Sequence, residues 1–260
     1  MTPKRVRKWI ITSVFIILEL ALIFIFIRLL RKTPVPEGAV LAREIVSYCI
    51  GDATSDGADE LLLISGDGKI DTGERYGELL LVCDASAFAD LESRGYIPPE
   101  KIQHSIELSE KCPMKVQLGD INGDGVSEIS ICVYKTATFH PVMAKRPFFF
   151  DLVEGNLIPV WLGSRLSRPF DDYILYDIDA DSISEIISIE RLELDSRVVA
   201  AYNWKGFGFE ILAQSEAFDG ELRFTESTDD CVGVELRDRA GARSQLRFAL
   251  RDEQLITERG

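Results

Sequence analysis

The sequence predicts an all-β fold, a small β-propeller of about four blades with the last blade closed by the N-terminal strand, preceded by one transmembrane helix. Three observations carry this. Three acidic loops recur in register, and each opens a hydrophobic strand. The intervals that separate them each hold about four strands, the size of a propeller blade. A run of 22 almost wholly apolar residues stands apart near the N terminus.

The apolar run is WIITSVFIILELALIFIFIRLL, residues 9–30. At ~1.5 Å per residue it is long enough to cross a hydrocarbon core of ~30 Å. A cleaved signal peptide would have a shorter apolar core and a small-x-small cleavage site, which RLLRKTPVPEG does not offer. Lys4, Arg5, Arg7 and Lys8 precede the run; Arg28, Arg31 and Lys32 close it. The slight excess before the run places residues 1–8 in the cytoplasm and the residues beyond about 33 on the extracytoplasmic side. Glu19 interrupts the run, as a helix-helix contact or as a tolerated protonated acid. Residues 31–39 form a linker stiffened by the two prolines of TPVPEG, and 40–260 form the folded domain.

Residues 1–32 carry seven Lys or Arg and one acid, which leaves 22 basic and 42 acidic residues beyond them, a formal −20. Such a surface excludes nucleic acid as a partner and favours cations and basic partners. The five cysteines are odd in number, widely spaced and without a CxxC pair, which argues against a zinc site or a dense disulfide framework. A single disulfide stays open.

The loop from Gly119, GDINGDGVSEISI, is the most complete. Asp120, Asn122, Asp124 and Glu128 supply oxygen ligands around Gly125, the donor set a hard cation such as Ca2+ requires. It is not an EF-hand: the twelfth position is Ile131 instead of a bidentate Glu, the acid falls at position 9, and a strand follows. GDATSDGADELLLI from Gly51 and YDIDADSISEIISI from Tyr176 align with it without gaps. Asp recurs at positions 1 and 5 and Glu at position 9. The alternative is that Asp, Asn and Gly serve only as turn formers, held by side-chain-to-backbone bonds without metal.

After the second loop come EISICVY, PFFFDLVEG, NLIPVWLGS and DDYILYD; after the third, EIISIERL, VVAAYNWKG, FGFEILAQS and ELRFTES. Gly155 and Gly206 to Gly208 provide tight hairpin turns. In the first unit DASAFADLESRG, residues 84–95, adds a short helix that plugs one side of the blade. Beyond Asp230 only three strands remain, CVGVELRD, SQLRFALRD and EQLITERG, and the missing one is expected from LAREIVSYCI at the start of the domain. A ring closed this way leaves no free sheet edge between its ends.

These loops and the strands after them resemble the calcium-loop repeats of the FG-GAP and VCBS type, as in the integrin alpha-chain propeller and many bacterial surface proteins. The resemblance implies Ca2+ held by positions 1, 3, 5 and 9 and the carbonyl of position 7. In this chain these are Asp52, Thr54, Asp56, Glu60 and the carbonyl of Ala58; Asp120, Asn122, Asp124, Glu128 and that of Val126; Asp177, Asp179, Asp181, Glu185 and that of Ile183. The chain departs from that family in having room for about four blades instead of seven and in lacking the FG and GAP tripeptides. With Thr54 in the first loop and Ser182 in place of glycine in the third, the middle loop is expected to bind best.

No catalytic constellation stands out. His104 and His140 lie in different units without a Ser or Cys motif, and no phosphate loop or zinc signature is present, so the chain is not expected to be an enzyme and a hydrolase is the least favoured reading. The sequence instead points to a membrane-anchored, extracytoplasmic interaction or ligand-binding module with a protein or glycan partner. The alternative is a structural accessory subunit of a larger cell-envelope complex. The segment Lys135 to Arg146 carries Phe139, Pro141, Val142 and Met143 between basic ends. It is either a contact surface or an apolar patch folded onto the blade beneath.

Overall fold

The computed structural model describes residues 34–192, 196–228 and 231–259. Met1–Glu37 forms one unit of the chain, of which only exposed, irregular 34–37 are described; Gly38–Gly260 forms the other.

The four large sheets of the Gly38–Gly260 unit are antiparallel, each built on four main strands, and two two-stranded sheets, Val40–Leu41 with Tyr96–Ile97 and Gly68–Lys69 with Arg75–Tyr76, accompany the first. Blade I is β1 (Ile45–Gly51), β2 (Glu60–Ser65), β3 (Leu79–Asp84) and β4 (Ile102–Glu107); blade II is β5 (Pro113–Gly119), β6 (Glu128–Ala137), β7 (His140–Val153) and β8 (Asn156–Leu162). Blade III is β9 (Phe170–Tyr176), β10 (Glu185–Arg191), β11 (Ser196–Trp204) and β12 (Phe209–Gln214), with the short strand Phe218–Asp219 also paired to β11. Blade IV is β13 (Glu221–Phe224), β14 (Val232–Arg237), β15 (Arg243–Arg251) and β16 (Gln254–Arg259). The arrangement is all-β and propeller-like with four blades, as the repeats predict.

The strands read as near-continuous apolar runs because both faces of the inner sheets are covered. In β6 and β7, Ile129, Ile131, Val133, Phe148 and Phe150 join Leu62, Ile64, Leu80 and Val82 of blade I in one buried cluster. Their neighbours Cys132 and Phe149 turn the other way, onto Tyr173, Ile186 and Tyr202 of blade III. A third cluster packs Ile187, Ile189 and Val199 of blade III on Val234, Leu246 and Phe248 of blade IV. The two-residue period of a strand thus serves two interfaces at once.

The expected ring closure is corrected. LAREIVSYCI supplies β1, which pairs with β2 in blade I through Gly51↔Glu60, and blade IV takes all four strands from 221–259. The physical reason is that each acidic loop is a hairpin connection, so the strand before it and the strand after it belong to one sheet. The outer face of blade I, Leu61, Leu63, Leu81 and Cys83, is covered by helix α1 (Ala87–Arg94), which contributes Ala87, Phe88 and Leu91, and by Ile97; no residue of blade IV belongs to that cluster. The inserted helix therefore plugs one side of the blade as expected, and Gly95 in the left-handed conformation (φ 76°) ends it. The outer face of β15 is polar, with Arg243, Gln245 and Arg247 exposed. All five cysteines are free.

The anchor and the single-pass membrane localisation expected from the sequence are also corrected. Among the described residues no helix is long and apolar enough to cross a membrane. The single α-helix described, α1, has eight residues and spans about 12 Å, far short of a hydrocarbon core of roughly 30 Å. The stretch 9–30 invoked for the anchor lies outside the described residues.

Candidate functional site

The three acidic loops connect the first and second strands of blades I, II and III, and they share one hydrogen-bonded frame. The position-1 carboxylate accepts from backbone N–H groups that turn back toward it. Asp52 takes Asp56 N (3.2 Å) and Gly57 N (2.9 Å); Asp120 takes Gly123 N (2.7 Å) and Gly125 N (2.8 Å); Asp177 takes Asp181 N (3.1 Å) and Ser182 N (2.8 Å). The position-5 carboxylates of Asp56, Asp124 and Asp181 accept from Ala58, Val126 and Ile183 N at 2.9, 2.9 and 2.8 Å. At position 9, Glu60, Glu128 and Glu185 are buried, and each accepts from the N–H of position 2, Ala53, Ile121 or Ile178, at 3.0, 2.9 and 3.1 Å.

Two features of the frame go beyond the sequence expectation. Position 4 as well as position 6 is left-handed in every loop: Ser55 and Gly57, Gly123 and Gly125, Ala180 and Ser182, with φ between 60° and 86°. Ser182 adopts the conformation glycine holds in the other two, so its side chain does not prevent the turn. Position 2 is a buried apolar residue, Ala53, Ile121 or Ile178, which plugs the loop into a blade interface. The apolar residue at position 2 of all three repeats is the signal that could have revealed it.

Where the loops differ is at position 3. In the first, Thr54 donates its hydroxyl to Glu60 Oε1 at 3.4 Å; in the second, the Asn122 amide donates to Glu128 Oε1. In the third, Asp179 has no proton to give. Carboxylate oxygens of Asp177, Asp179 and Glu185 lie within 4.8 Å of one another, and no other trio of acidic, His or Cys side chains among the described residues comes so close. Asp181, expected as a fourth ligand, stands outside this group.

The electrostatics follow. Burial, then Asp179, Asp181 and Asp177, push the Glu185 carboxyl up to about 7, and burial with Asp124 and Asp120 does the same to Glu128. Asp179 is raised by burial and by Asp181 and Asp177. An oxygen-only donor set carrying uncompensated negative charge fits a hard divalent cation. Asp177, Asp179 and Glu185 would hold it in the third loop, with the Ile183 carbonyl as the neutral donor that the repeat pattern offers. At the same three positions the first loop has Asp52, Thr54 and Glu60 and the second Asp120, Asn122 and Glu128, two carboxylates and one neutral oxygen-bearing side chain each.

The second and third loops also touch. Ser184 N, at position 8 of the third loop, donates to the Asp120 carbonyl of the second at 2.6 Å, and a Cβ on Gly123 would meet Ile183 Cδ1 at 2.8 Å. A second polar region lies where all four blades contribute to one cleft of about 600 Å³, through Glu74, Lys145, Asp171, Asp172, Arg197 and Arg223 among others. Its charges satisfy one another: Lys145 pairs with Glu74 at 2.5 Å, Lys115 with Asp172 at 2.9 Å, and Asp171 receives both Arg197 and Arg191. Burial works against the Asp171 charge, but the two guanidinium groups outweigh it and hold its carboxyl below the usual range. This network holds the blades together and leaves no demand for an added ion.

His104 and His140 lie in blades I and II. The Nδ1 of His140 faces the Arg146 guanidinium at 3.1 Å, and neither ring is hydrogen-bonded to a Ser or Cys among the described residues.

No protein-family model matches the chain, and no curated protein matches it either. The resemblance to FG-GAP and VCBS repeats therefore rests on the loops themselves. Among solved structures, the chain is similar to that of a Xanthomonas Type IV Secretion System related protein. The match has 10% identity and covers 81% of this chain and 97% of that one; its TM-score of 0.30 carries no further argument.

Proposed function

We propose that this chain is a non-catalytic, calcium-stabilised interaction module, in which Ca2+ bound at the acidic loops fixes the blades and presents the remaining surface to a protein partner. The observation that supports the reading most directly is the grouping of Asp177, Asp179 and Glu185 oxygens within 4.8 Å on a frame repeated in the other two loops. Three carboxylates gathered with backbone N–H donors but no cationic side chain between them are an electrostatic cost that a bound cation turns into a gain. This ranks the third loop first, ahead of the middle loop that glycine content alone favours. The bond from Ser184 N to the Asp120 carbonyl makes a rigid third loop a support for the second as well.

The role of the ion in this reading is structural. It holds the hairpin between β9 and β10, whose residues Ile174, Ile187 and Ile189 pack at the interface of blades III and IV. Isothermal titration of the chelator-treated chain with Ca2+ tests it, with Asp179→Asn as the control. Expected is a site whose affinity falls at least about tenfold in the variant. Absence of any calcium heat, or titration unaffected by the substitution, sinks the reading.

A further inference from the structure

The β6–β7 hairpin is longer than the sheet it belongs to. β5 pairs with β6 only as far as Val133, and β8 reaches along β7 only from Phe148 onward, so the hairpin 134–147, tied at its root by Tyr134 N to the Cys112 carbonyl and by Gly163 N to the Pro147 carbonyl, extends as a two-stranded arm beyond both neighbours. An isolated ribbon of this kind is marginal in water. This one is braced at its base. Arg146, fully buried, donates from Nε to the Lys135 carbonyl (2.8 Å) and from Nη2 to the carbonyls of His140 (3.0 Å) and Val142 (2.7 Å), with His140 Nδ1 at 3.1 Å. Lys145, on the opposite side of the strand, reaches Glu74 and the Asp171 carbonyl at 2.5 Å each, tying the arm to blades I and III.

What the brace holds out is apolar. Phe139 at the tip is 92% exposed, Val142 54% and Met143 49%. Of the two expectations for this segment, packing on the blade beneath is therefore not what these side chains do. The charge of the arm is also opposite to that of the domain. Residues 135–146 contain Lys135, His140, Lys145 and Arg146 and no acid, on a chain with 42 acidic and 22 basic residues beyond position 32. Lys135 and the nearby exposed Arg165, which shares a small cavity with His140, have no carboxylate partner among the described residues.

We propose that the 134–147 arm is a recognition element that inserts Phe139, Val142 and Met143 into an apolar pocket rimmed by acidic residues on another protein. A prebraced arm loses little conformational freedom on docking, so the apolar area it buries appears as affinity. Its basic flanks match an acidic rim and repel basic competitors. A bilayer is the less suitable occupant, since the acidic body of the domain is repelled from an anionic lipid surface. The proposal deepens the interaction-module reading but does not depend on calcium.

The test uses the full chain as bait for a random peptide display library. The selected peptides are then measured by fluorescence polarisation against the wild type, Phe139→Ser/Met143→Ser and Lys135→Glu/Arg165→Glu. Expected are peptides that combine aromatic or aliphatic residues with Asp and Glu. Their affinity should fall at least about tenfold in each variant and rise as salt is lowered. Both variants should melt as the wild type does, because Phe139, Met143 and Arg165 are exposed and the half-buried Lys135 has no ion pair to lose among the described residues. Four results would overturn the proposal: no selected peptide that depends on the arm; selection of basic peptides; loss of binding to vesicles containing 30% phosphatidylglycerol in the Phe139→Ser/Met143→Ser variant; or a concentration-dependent dimer that this variant abolishes.

Discussion

Strand β6 begins at Glu128 in an acidic loop and runs out into the arm, at whose base Arg146 sits on its partner strand, and the two regions treat a buried charge in different ways. Glu128 is 1% exposed and Arg146 0%. Around the guanidinium the chain has arranged three backbone carbonyls, which solvate the buried cation through Nε and Nη2, while Nη1 is left without a partner among the described residues. Around the carboxylate it has arranged two neutral donors, the Ile121 N–H and the Asn122 amide, beside further acids, Asp120 and Asp124, so the negative charge is only partly met. A buried ion with internal partners makes a permanent brace. One whose partners fall short of its charge makes a stability that depends on the medium.

The sharpest way to break the contrast is at the arm. Arg146→Ala removes the donor to three carbonyls, and an expected loss of about 2 to 4 kcal/mol in urea unfolding follows from the usual cost of stripping a buried network. A loss below about 1 kcal/mol would mean that the brace is dispensable. Calcium should leave the size of this loss unchanged, since it acts at the other end.

At the loops the medium should matter. Calcium at a hundred times its dissociation constant is expected to stabilise the wild type by about 2.7 kcal/mol, read as a rise in melting temperature that EDTA reverses. Asp177→Asn/Asp179→Asn should remove most of that rise, whereas the equivalent change at Asp52 should remove less.

The pH dependence of the calcium-free chain separates the ends further. Glu128 and Glu185 are raised from 4.5 to about 7 in the folded state, so between those values the native state holds more protons than the unfolded one. Stability is then expected to fall as pH rises from 4.5 through 7, and calcium should flatten the slope because it replaces the protons. A melting temperature that rises over this range without calcium would show that the glutamates are not the groups in control.

The smallest expected effect lies at position 6. Ser182→Gly should gain roughly 0.5 to 1 kcal/mol by relieving its φ of 72°, and Gly125→Ala should lose a similar amount. Equal responses at the two positions, of either sign, would mean that the loops do not share one backbone frame.

The loops were legible in the sequence because their side-chain pattern is the frame: in all three copies Asp at position 1 accepts from the position-6 N–H, Asp at position 5 from the position-7 N–H and Glu at position 9 from the position-2 N–H. The phase of the blades was not legible. A repeat of four strands can be cut at any strand and still count four, and only the pairing of Gly51 with Glu60 fixes where a sheet begins. ELRF, read as the last strand of the third unit, is the first strand of blade IV. Arg146 was hidden for a different reason. At the end of a Lys- and Arg-flanked segment it looks solvated, and nothing local reveals that the hairpin curls its carbonyls around it. The exposure of Phe139 could be posed from the sequence but not decided, because an apolar tip and a packed one have the same composition.

That each blade closes within its own stretch, 45–107, 113–162, 170–214 and 221–259, bears on how the chain is made. A ring sealed by its first strand would have to hold that strand unpaired until the last residues were synthesised. Here β1 finds β2 within the same hairpin, and every later sheet can form against the finished face of the one before it. The domain can therefore assemble in the order of translation, with short-range pairings at each stage and little unpaired edge exposed to neighbouring chains.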